Sequence, residues 1–517
     1  MKAAADLAAH RLLPDAPFGS YADYHKATGP SAVLKARKMK PEAVLAEVER
    51  SGLRGRGGAG FPTGTKWRSV QEHSCTRRSV VCNAAEGEPG TFKDRYLLRW
   101  NPYAALEGML VAAHAIGTHE INIAIKASFA REIDRLRRAL AELREAGLLE
   151  GIEHRIVEGP EEYLFGEEKA ILNVIEGQGP LPREAHYPPY ERGLFATPDS
   201  PNPALVNNVE TFAHVPGILR HGGESFRRIG TADTPGTLLF TLSGDVARPG
   251  VYEAPAGITL RELFYRLGDG PKGGRTFKGA LSGVSAGFIG PEKFETHVDF
   301  GSLKMIGSGL GSAGFIVLDD RTSIPRVAQA LARFLYVESC NQCTACKHGL
   351  RTASGALDEM FDPKTASADD PERALFGARS APQGNRCYLP VQAATVLPSL
   401  MTRFKAEFDH LVAHPGALPA KYVLPKIMDF VEEGRTFIYD LRQGHKNPDW
   451  TFMEPKKTTA RYLVATPAPE SEGDVGVRLA PEVHESLRTL AEAKGIDLDR
   501  QVNEALRQWL RDRRKAP

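Results

Sequence analysis

Four cysteines carry the strongest chemical signal in this sequence. Cys340, Cys343 and Cys346 form a C-x2-C-x2-C motif, and Cys387 follows 41 residues later. Four thiolates that converge on one point suit either an iron–sulfur cluster or a zinc ion. The tight triple favours a cubane [4Fe–4S] cluster, because one turn can supply three corners and a remote cysteine the fourth. Structural zinc more often uses two separated C-x2-C pairs, so zinc stays as the alternative.

The remaining two cysteines belong to no such pattern. Cys82 lies in the apolar run SVVCN and reads as a small core residue, and Cys75 has no partner pattern. Clustering of four of the six cysteines argues against a secreted disulfide framework and for a metal site in a reducing compartment. We therefore expect a cytoplasmic protein.

A glycine-rich loop is the second candidate site. Gly55, Gly57 and Gly60 satisfy G-x-G-x-x-G, but the segment before them reads as helix, so the ordinary dinucleotide fingerprint lacks its preceding strand. What remains is a loop rich in unobstructed backbone N–H groups, which suits a phosphate or a pyrophosphate-bearing cofactor. The alternative is a tight connection without a ligand. Three cations flank the loop: Arg54, Arg56 and Lys66.

Polar residues also follow the short strand predicted at SVVCN. Asn83, Glu86 and Glu88 come directly after it. α/β proteins place ligand-contacting residues at the carboxyl ends of their strands. We expect these side chains at the same site as the glycine-rich loop.

The elements that must position these residues alternate between helix and strand. Residues 21–52 read as helical, with Pro41 in a first turn. YAALEGMLVAAHAIG predicts a helix, EINIAIKA a strand and REIDRLRRALAELREAG another helix, which indicates an α/β domain with parallel strands. From about 236, TLLFTLSGDVARPGVYEAP predicts two short strands and TLRELFYRLG a helix. From 322 to about 440 the pattern is helical, including YVLPKIMDFVEEG.

These patterns predict an α/β protein of several domains. We expect a Rossmann-like nucleotide domain, a small α+β (ubiquitin-like) domain, a helical bundle that carries the cysteines, and a separate C-terminal module. The expected bounds are 1–24 for an N-terminal arm, 25–235, 236–320 and 321–440 for the three domains, 441–472 for a polar, Pro-rich linker, and 473–517 for the module.

Bulk properties argue against two classes of partner, nucleic acids and the membrane interior. Hydrophobic residues make up 42% and charged residues 25% of the 517 residues, an ordinary globular balance. The formal net charge is only +2, which gives no global case for nucleic-acid binding. No apolar run approaches the roughly 18 residues that cross a bilayer. Direct membrane insertion is not expected, and any membrane role would come through partners.

Several long motifs, taken together and in order, resemble the NADH-binding flavoprotein subunit of respiratory complex I and the diaphorase subunits of NAD-linked formate dehydrogenases and hydrogenases. The matching segments are SGLRGRGGAGFPTGTKW, NAAEGEPGTFKDR, EYLFGEEKAIL, VNNVET, GDVARPGVYE and ESCNQCTACKHG with Cys387. The resemblance implies one FMN, NAD(H) stacked on its ring, and a [4Fe–4S] cluster. It also implies hydride exchange between NADH and FMN, with single electrons relayed to the cluster and no side chain acting as acid or base.

The resemblance further implies roles for individual residues. The loop glycines and Lys66 would hold the FMN phosphate and ribityl chain, and four acidic residues would line the nucleotide site. The implied cofactor-binding residues are Gly55, Gly57, Gly58, Gly60, Phe61, Lys66, Asn83, Glu86, Glu88, Gly166, Glu167, Glu168, Tyr190, Asn207 and Asn208, and the implied cluster ligands are Cys340, Cys343, Cys346 and Cys387. Phe61 and Tyr190 would flank the NADH adenine.

Three departures from the family pattern stand out. Ala85 replaces the Asp of N-A-D-E, Phe165 replaces the Cys of I-C-G-E, and PDSPNPAL resembles an insertion. Ala85 motivates an alternative of another class, a structural or electron-relay subunit without FMN. The chain also lacks the thioredoxin-like [2Fe–2S] domain of some relatives. The resemblance thus implies a separate [2Fe–2S] partner subunit and a larger iron–sulfur or molybdopterin subunit.

The last 45 residues lie outside the family core. Alternation at Val475, Val477 and Leu479 predicts a strand, and two short amphipathic helices follow. This pattern resembles the ribbon-helix-helix fold, which is an obligate dimer. The outward strand positions offer only one basic group, Arg478, so base readout is not expected. We interpret the segment as a module for self-dimerisation or docking; the alternatives are DNA binding and a tail packed on the protein's own core.

Overall fold

The structure, a computed structural model, describes residues 7–8, 10–184, 186–416, 422 and 424–452. A four-stranded parallel sheet in the order β3-β2-β1-β4 organises the N-terminal half. Its strands are β1 Ser79–Ala84, β2 Glu120–Lys126, β3 Glu153–Gly159 and β4 Ala204–Asn208. The register sets Asn83 of β1 opposite Asn208 of β4, so the two residues lie at the same edge of the sheet. The predicted α/β class with a parallel sheet is confirmed.

Helices cover this sheet, and the predicted helix over residues 21–52 is three consecutive helices. Pro41 opens the third of them, as expected. The helices of this half are α1 Tyr21–Thr28, α2 Ala32–Arg37, α3 Pro41–Ser51, α4 Thr63–Gln71, α5 Lys93–Trp100, α6 Pro102–Ile116, α7 Ala130–Glu145, α8 Glu168–Ile175, α9 Val209–His221 and α10 Gly223–Arg227.

Helix α6 is the central packing element because it is buried nearly all round. The Asn101 side chain caps it by accepting from the N–H of Ala104, and Gly117 ends it in a left-handed conformation. At Gly108 it touches helix α9 so closely that an added Cβ would lie 1.9 Å from the Phe212 carbonyl oxygen. The close approach of the two backbones therefore requires glycine at this position.

A small mixed sheet in the order β6-β5-β8-β7 follows. The segment TLRELFYRLG, predicted as an α-helix, forms a wider π-helical turn over Glu262–Leu267 instead. Leu263 and Phe264 of this turn are fully buried in the core against the sheet. The elements are β5 Thr237–Gly244, β6 Gly250–Pro255, β7 Phe277–Ser282, α11 Phe300–Met305 and β8 Gly314–Asp319.

A helical bundle carries the clustered cysteines. It consists of α12 Ile324–Glu338, α13 Thr344–Glu359, α14 Asp370–Ser380, α15 Leu389–Arg403 and α16 Lys405–Ala413. Within the described residues, no helix in the protein is both long and apolar enough to cross a membrane.

The prediction of a helix through YVLPKIMDFVEEG is wrong. Strands β9 Ile427–Val431 and β10 Thr436–Tyr439 form an antiparallel hairpin here. Ile427, Phe430 and Phe437 pack into the core of the N-terminal domain. The spacing of Ile427, Phe430 and Val431 suits a helix as well as a strand, and the β-prone partner TFIY decides for the strand.

The predicted linker 441–472 is described only as far as residue 452. Leu441–His445 and Trp450–Phe452 form short 3₁₀ turns, and the second contacts the helical bundle through Trp450. The rest of the predicted linker and the C-terminal module 473–517 lie outside the described residues.

We expect Gly108→Ala to lower the free energy of unfolding by about 2 kcal/mol or more, because its Cβ would meet helix α9 backbone that cannot move aside. Gly355→Ala is the matched control. Gly355 lies inside helix α13 with open space around its Cβ position, so alanine should stabilise by about 0.5–1 kcal/mol. Denaturant unfolding of both variants measures the difference, and equal effects would contradict the close helix contact.

Candidate functional site

A cavity of about 910 Å³ opens where the carboxyl ends of β1 and β4 meet the glycine-rich loop, the small sheet and the helical bundle. Eight of the fifteen predicted cofactor-binding residues line it: Gly57, Gly58, Asn83, Glu86, Glu88, Gly166, Glu167 and Asn208. Its volume is in the range of sites that hold cofactor-sized ligands.

The glycine-rich loop forms one wall of this cavity. Gly58 has φ +126° and Gly60 has φ +64°, which residues with a Cβ rarely adopt. A Cβ on Gly60 would lie 2.6 Å from the Phe300 ring, and one on Gly57 would lie 3.2 Å from the Cβ of Asn208. The glycines therefore let the backbone approach both the small domain and the sheet edge. A ligand phosphate in the cavity would face main chain here.

Seven other predicted residues do not line the cavity. Four of them form a neighbouring group, in which the Lys66 ammonium lies 2.6 Å from Glu168 Oε1 and 5.9 Å from the centre of the Phe61 ring. The rings of Phe61 and Tyr190 stack with centres 6.0 Å apart. The seven residues are Gly55, Gly60, Phe61, Lys66, Glu168, Tyr190 and Asn207.

Asn207 supports the sheet edge from behind. Its amide lies 2.9 Å from both the Val206 carbonyl and the Trp67 indole nitrogen, oriented to donate to the first and accept from the second. Only 6% of the residue is exposed. Of the predicted asparagine pair, Asn208 thus lies on the cavity and Asn207 in the wall behind it.

The three predicted glutamates on the cavity wall are already hydrogen-bonded to protein groups. Glu86 accepts from the backbone N–H of Asp94 at 3.0 Å and pairs with Arg95 at 3.2 Å. Glu88 accepts from the Tyr163 hydroxyl and from the Val284 N–H, and burial raises its pKa. These bonds fix the carboxyl groups as part of the wall.

Glu167, the third of them, has a second task at the amino end of helix α8. It accepts from the backbone N–H groups of Lys169 and Ala170, at 3.0 and 2.9 Å, and so caps the helix. Burial raises its pKa to about 7, despite the opposing effect of Lys169.

Sequence reasoning missed a buried charged network beneath the cavity. Lys93 Nζ lies 2.8 Å from Asp94 Oδ1, 2.9 Å from Glu210 Oε2 and 3.2 Å from Asn208 Oδ1. Asn208 in turn donates to Asp94 Oδ2 at 2.6 Å. The available signal was the K-D-R triplet after Phe92, since a lysine that becomes buried needs charged or polar partners.

The network also sets the ionisation of its carboxyls. Burial raises the pKa of Asp94, which lines the cavity, to about 6. Burial acts in the same direction on Glu210, but the Lys93 ammonium, the His214 side chain and Arg56 outweigh it and hold the pKa of Glu210 at about 2. Lys93 is therefore paired with at least one permanent anion.

Two of the departures from the family pattern lie together. Ala85 and Phe165 are both buried in one apolar cluster with Val81, Ile171 and Leu172. Ala85 lines the cavity, and its backbone N–H donates to the Asn83 side chain at 3.2 Å. The cavity is thus apolar at the position where the family has a carboxylate.

The four clustered cysteines line a second, smaller cavity. Cys340, Cys343, Cys346 and Cys387 share it with apolar neighbours, including Pro390. Burial raises the pKa of the Cys346 thiol to about 12 and also raises the pKa of Cys340 and Cys387. Thiolates in such surroundings need the positive charge of bound metal. An all-thiolate donor set around one cavity fits the implied iron–sulfur cluster.

The two cavities share a wall. Leu164, Cys387 and Leu389 line both of them. Leu164 belongs to the short 3₁₀ turn Tyr163–Gly166, and Leu389 opens helix α15 shortly after the cysteine. These side chains would therefore stand between a group in the large cavity and a group on the cysteines.

Three known domain families match parts of the chain. Residues 48–217 match the Nuo51 FMN-binding domain, residues 239–286 match the SLBB domain, and residues 326–411 match the NADH-ubiquinone oxidoreductase-F iron-sulfur binding region. The first match covers the parallel sheet at the large cavity, and the third covers all four clustered cysteines.

Curated relatives and solved structures agree with these matches. The F subunit 2 of the NADH-quinone oxidoreductase of Rhizobium meliloti (strain 1021) is 38% identical over 77% of this chain and 96% of its own length. The NADP-reducing hydrogenase subunit HndC of Solidesulfovibrio fructosivorans is 35% identical over 67% of this chain and 71% of its own length. A crystal structure of an NAD+-reducing [NiFe]-hydrogenase matches with a TM-score of 0.67 and 32% identity, over 76% of this chain and 67% of that one. The chain therefore belongs to the flavoprotein family of the NADH-quinone oxidoreductase F subunit, with the FMN-binding and iron–sulfur regions of that family in one polypeptide.

Proposed function

We propose that this chain is the NADH-oxidising subunit of a larger redox complex, with FMN in the large cavity and a [4Fe–4S] cluster on Cys340, Cys343, Cys346 and Cys387. The observation that carries the proposal is the shared wall of Leu164, Cys387 and Leu389 between the two cavities. FMN, when bound, supplies the exchange between two-electron and one-electron chemistry. The shared wall keeps the two sites close enough for single electrons to pass.

The cavity walls suit the two ends of a flavin nucleotide. The main chain at Gly57 and Gly58 offers N–H groups to a phosphate, and Asn83, Asn208 and the Gly166 main chain line the sheet edge for the ring. The three wall glutamates are held by protein donors, so they position the nucleotide and shape the local field rather than transfer protons.

The stacked pair Phe61–Tyr190 is suited to the adenine of NADH. The ion pair Lys66–Glu168 lies directly beside it. In this arrangement Glu168 faces the nucleotide ribose, and Lys66 neutralises part of its charge. We assign Gly55, Gly60 and Asn207 to shaping the site from behind.

The reverse direction is the second candidate function. A relative named for NADP reduction and a hydrogenase structure named for NAD+ reduction support a diaphorase subunit that reduces the nucleotide with electrons from hydrogen or formate. For both directions we expect a separate thioredoxin-like [2Fe–2S] subunit and a larger iron–sulfur or molybdopterin subunit as partners. The third candidate, a subunit without FMN, rests on Ala85 alone, and the retained cavity argues against it.

We expect the purified chain to hold one FMN and about four iron atoms per polypeptide, as one [4Fe–4S] cluster requires. Cys343→Ser should abolish the iron and keep the flavin, because Cys343 lines the small cavity and is not part of the large one. Cys75→Ser is the matched control, since Cys75 lies outside both cavities. Flavin absorbance and iron assay measure both contents. Stoichiometric zinc in place of iron would refute the cluster.

We expect a higher kcat/KM for NADH than for NADPH, because Glu168 would repel a 2′-phosphate. Glu168→Gln removes that charge and leaves the Lys66 cation without its partner, so the preference should fall by roughly tenfold, about 1.4 kcal/mol. Glu150→Gln, an exposed carboxylate outside the cavity lining, should change nothing. Equal values for both nucleotides in the unmodified protein would contradict the assignment.

We expect a thioredoxin-like [2Fe–2S] subunit to co-purify with this chain from its native source, because the electrons need an acceptor beyond the cluster. Mild affinity purification with identification of the bound chains tests this. Recovery of the chain alone, with full FMN and iron, would contradict it.

A further inference from the structure

The segment 440–452, which we call the C-terminal strap, lies beyond the matched iron–sulfur region and still contacts it at several points. The Trp450 indole N–H donates to the carbonyl of Val337 at 2.9 Å, near the end of helix α12. Arg333 of the same helix donates to the carbonyl of Lys446 at 2.9 Å. The strap therefore lies along the helix that leads into Cys340.

Glu338 is the main attachment point of the strap. This carboxylate is fully buried and lies 2.6 Å from Lys446 Nζ and 2.6 Å from Gln443 Nε2. It also accepts from the backbone N–H of Tyr163 at 3.0 Å. Tyr163 lines the large cavity, and Glu338 ends the helix that leads into Cys340, so one carboxylate joins the strap to the wall of the first site and to the approach of the second.

The loop between the first two cysteines depends on the strap for its conformation. Asn341 has φ +61°, a left-handed conformation that costs free energy for a residue with a Cβ. Its side-chain nitrogen donates to Thr451 Oγ1 at 2.8 Å and to the Pro448 carbonyl at 3.2 Å. Both acceptors belong to the strap, so these bonds offset the cost of the turn that places Cys340 and Cys343.

The strap also holds a charge beside the cysteines. Lys347, which directly follows Cys346, donates to the Pro448 carbonyl at 2.5 Å and lies 3.5 Å from Asp449 Oδ1. A cation beside an iron–sulfur cluster favours its more negative, reduced form, and a neighbouring carboxylate weakens that effect. The strap thus fixes where this cation lies and how far it is neutralised.

We propose that the strap is a positioning element of the iron–sulfur site, acting through Asn341 and Lys347 on cluster retention and on cluster potential. The proposal rests on the proposed function, since it requires a cluster on the four cysteines. None of the strap residues is a cluster ligand. They act on the ligand loop from outside, as supporting groups around metal sites commonly do.

The first test is cluster retention. Thr451→Val removes the nearer of the two acceptors for Asn341 at nearly constant volume, and Thr451→Ser restores the hydroxyl. With the purified holoprotein, Thr451→Val should lose iron to a chelator roughly tenfold faster and change the EPR spectrum of the reduced cluster, whereas Thr451→Ser should match the unmodified protein. Arg442→Gln is the matched control on the strap, because its ion pairs in the described structure are with Asp440 and Glu161 and not with the cysteine loop.

The second test is cluster potential. Asp449→Asn should raise the midpoint potential of the cluster measured by EPR-monitored titration, and added salt should shrink the shift because the Asp449 side chain is 61% exposed. Trp450→Phe, which loses the bond to Val337, should behave like Thr451→Val in the retention assay. Circular dichroism and thermal melting show which variants stay folded. If Trp450→Phe does not fold, the comparison of Thr451→Val with Thr451→Ser still decides the test.

The outcomes separate the two proposals. If the unmodified protein holds no iron, the proposed function fails. If it holds a full cluster but Thr451→Val and Asp449→Asn match Arg442→Gln in iron loss, EPR spectrum and potential, the strap is only a structural tail and the inference is overturned.

Discussion

The buried ammonium of Lys93 is the constraint on which the rest of this molecule depends. A charge that is fully removed from water must be paired and hydrogen-bonded, or the fold loses several kcal/mol. Lys93 on helix α5 meets this demand with Asp94, Glu210 and Asn208, which lie on three different elements. Satisfying one cation therefore fixes helix α5, the end of β4 and the start of α9 in one arrangement, and the large cavity lies directly above it.

The same network connects the N-terminal domain to the small sheet. Glu210 Oε1 accepts from the backbone N–H of Leu239 at 2.9 Å, and Thr241 Oγ1 accepts from the N–H of Phe92 at 3.0 Å. Leu239 and Thr241 both belong to strand β5. A cavity at the junction of several domains keeps its shape only if the domains keep fixed positions relative to one another. Buried hydrogen bonds fix these positions because they tolerate little displacement.

Glu338 has the corresponding role on the cluster side. Its carboxylate joins helix α12, the 3₁₀ turn at Tyr163 and the segment after β10, and its pKa is held at about 2 because Lys446 and Lys426 outweigh its burial. The large cavity and the cysteine cavity thus rest on separate buried anions, Glu210 and Glu338. The two cavities meet at the turn Tyr163–Gly166 and at the helix that begins after Cys387. This layout explains how one chain can carry two cofactor regions whose wall is only a few side chains thick.

Much of this protein follows from the sequence by itself. Local patterns were sufficient for the parallel strands, for Pro41 at a helix start and for the four cysteines in one cavity, because periodicity, capping and ligand spacing act over a few residues. Only the tertiary structure decided that IMDFV pairs with TFIY as a hairpin, since the apolar spacing of that segment suits helix and strand equally. Only the tertiary structure decided that Lys66 pairs with Glu168 and does not line the cavity. It also decided that Lys93 is buried among three acceptors. Those outcomes depend on partners far away in the chain, and a sequence pattern carries no information on which distant carboxylate a buried cation will find.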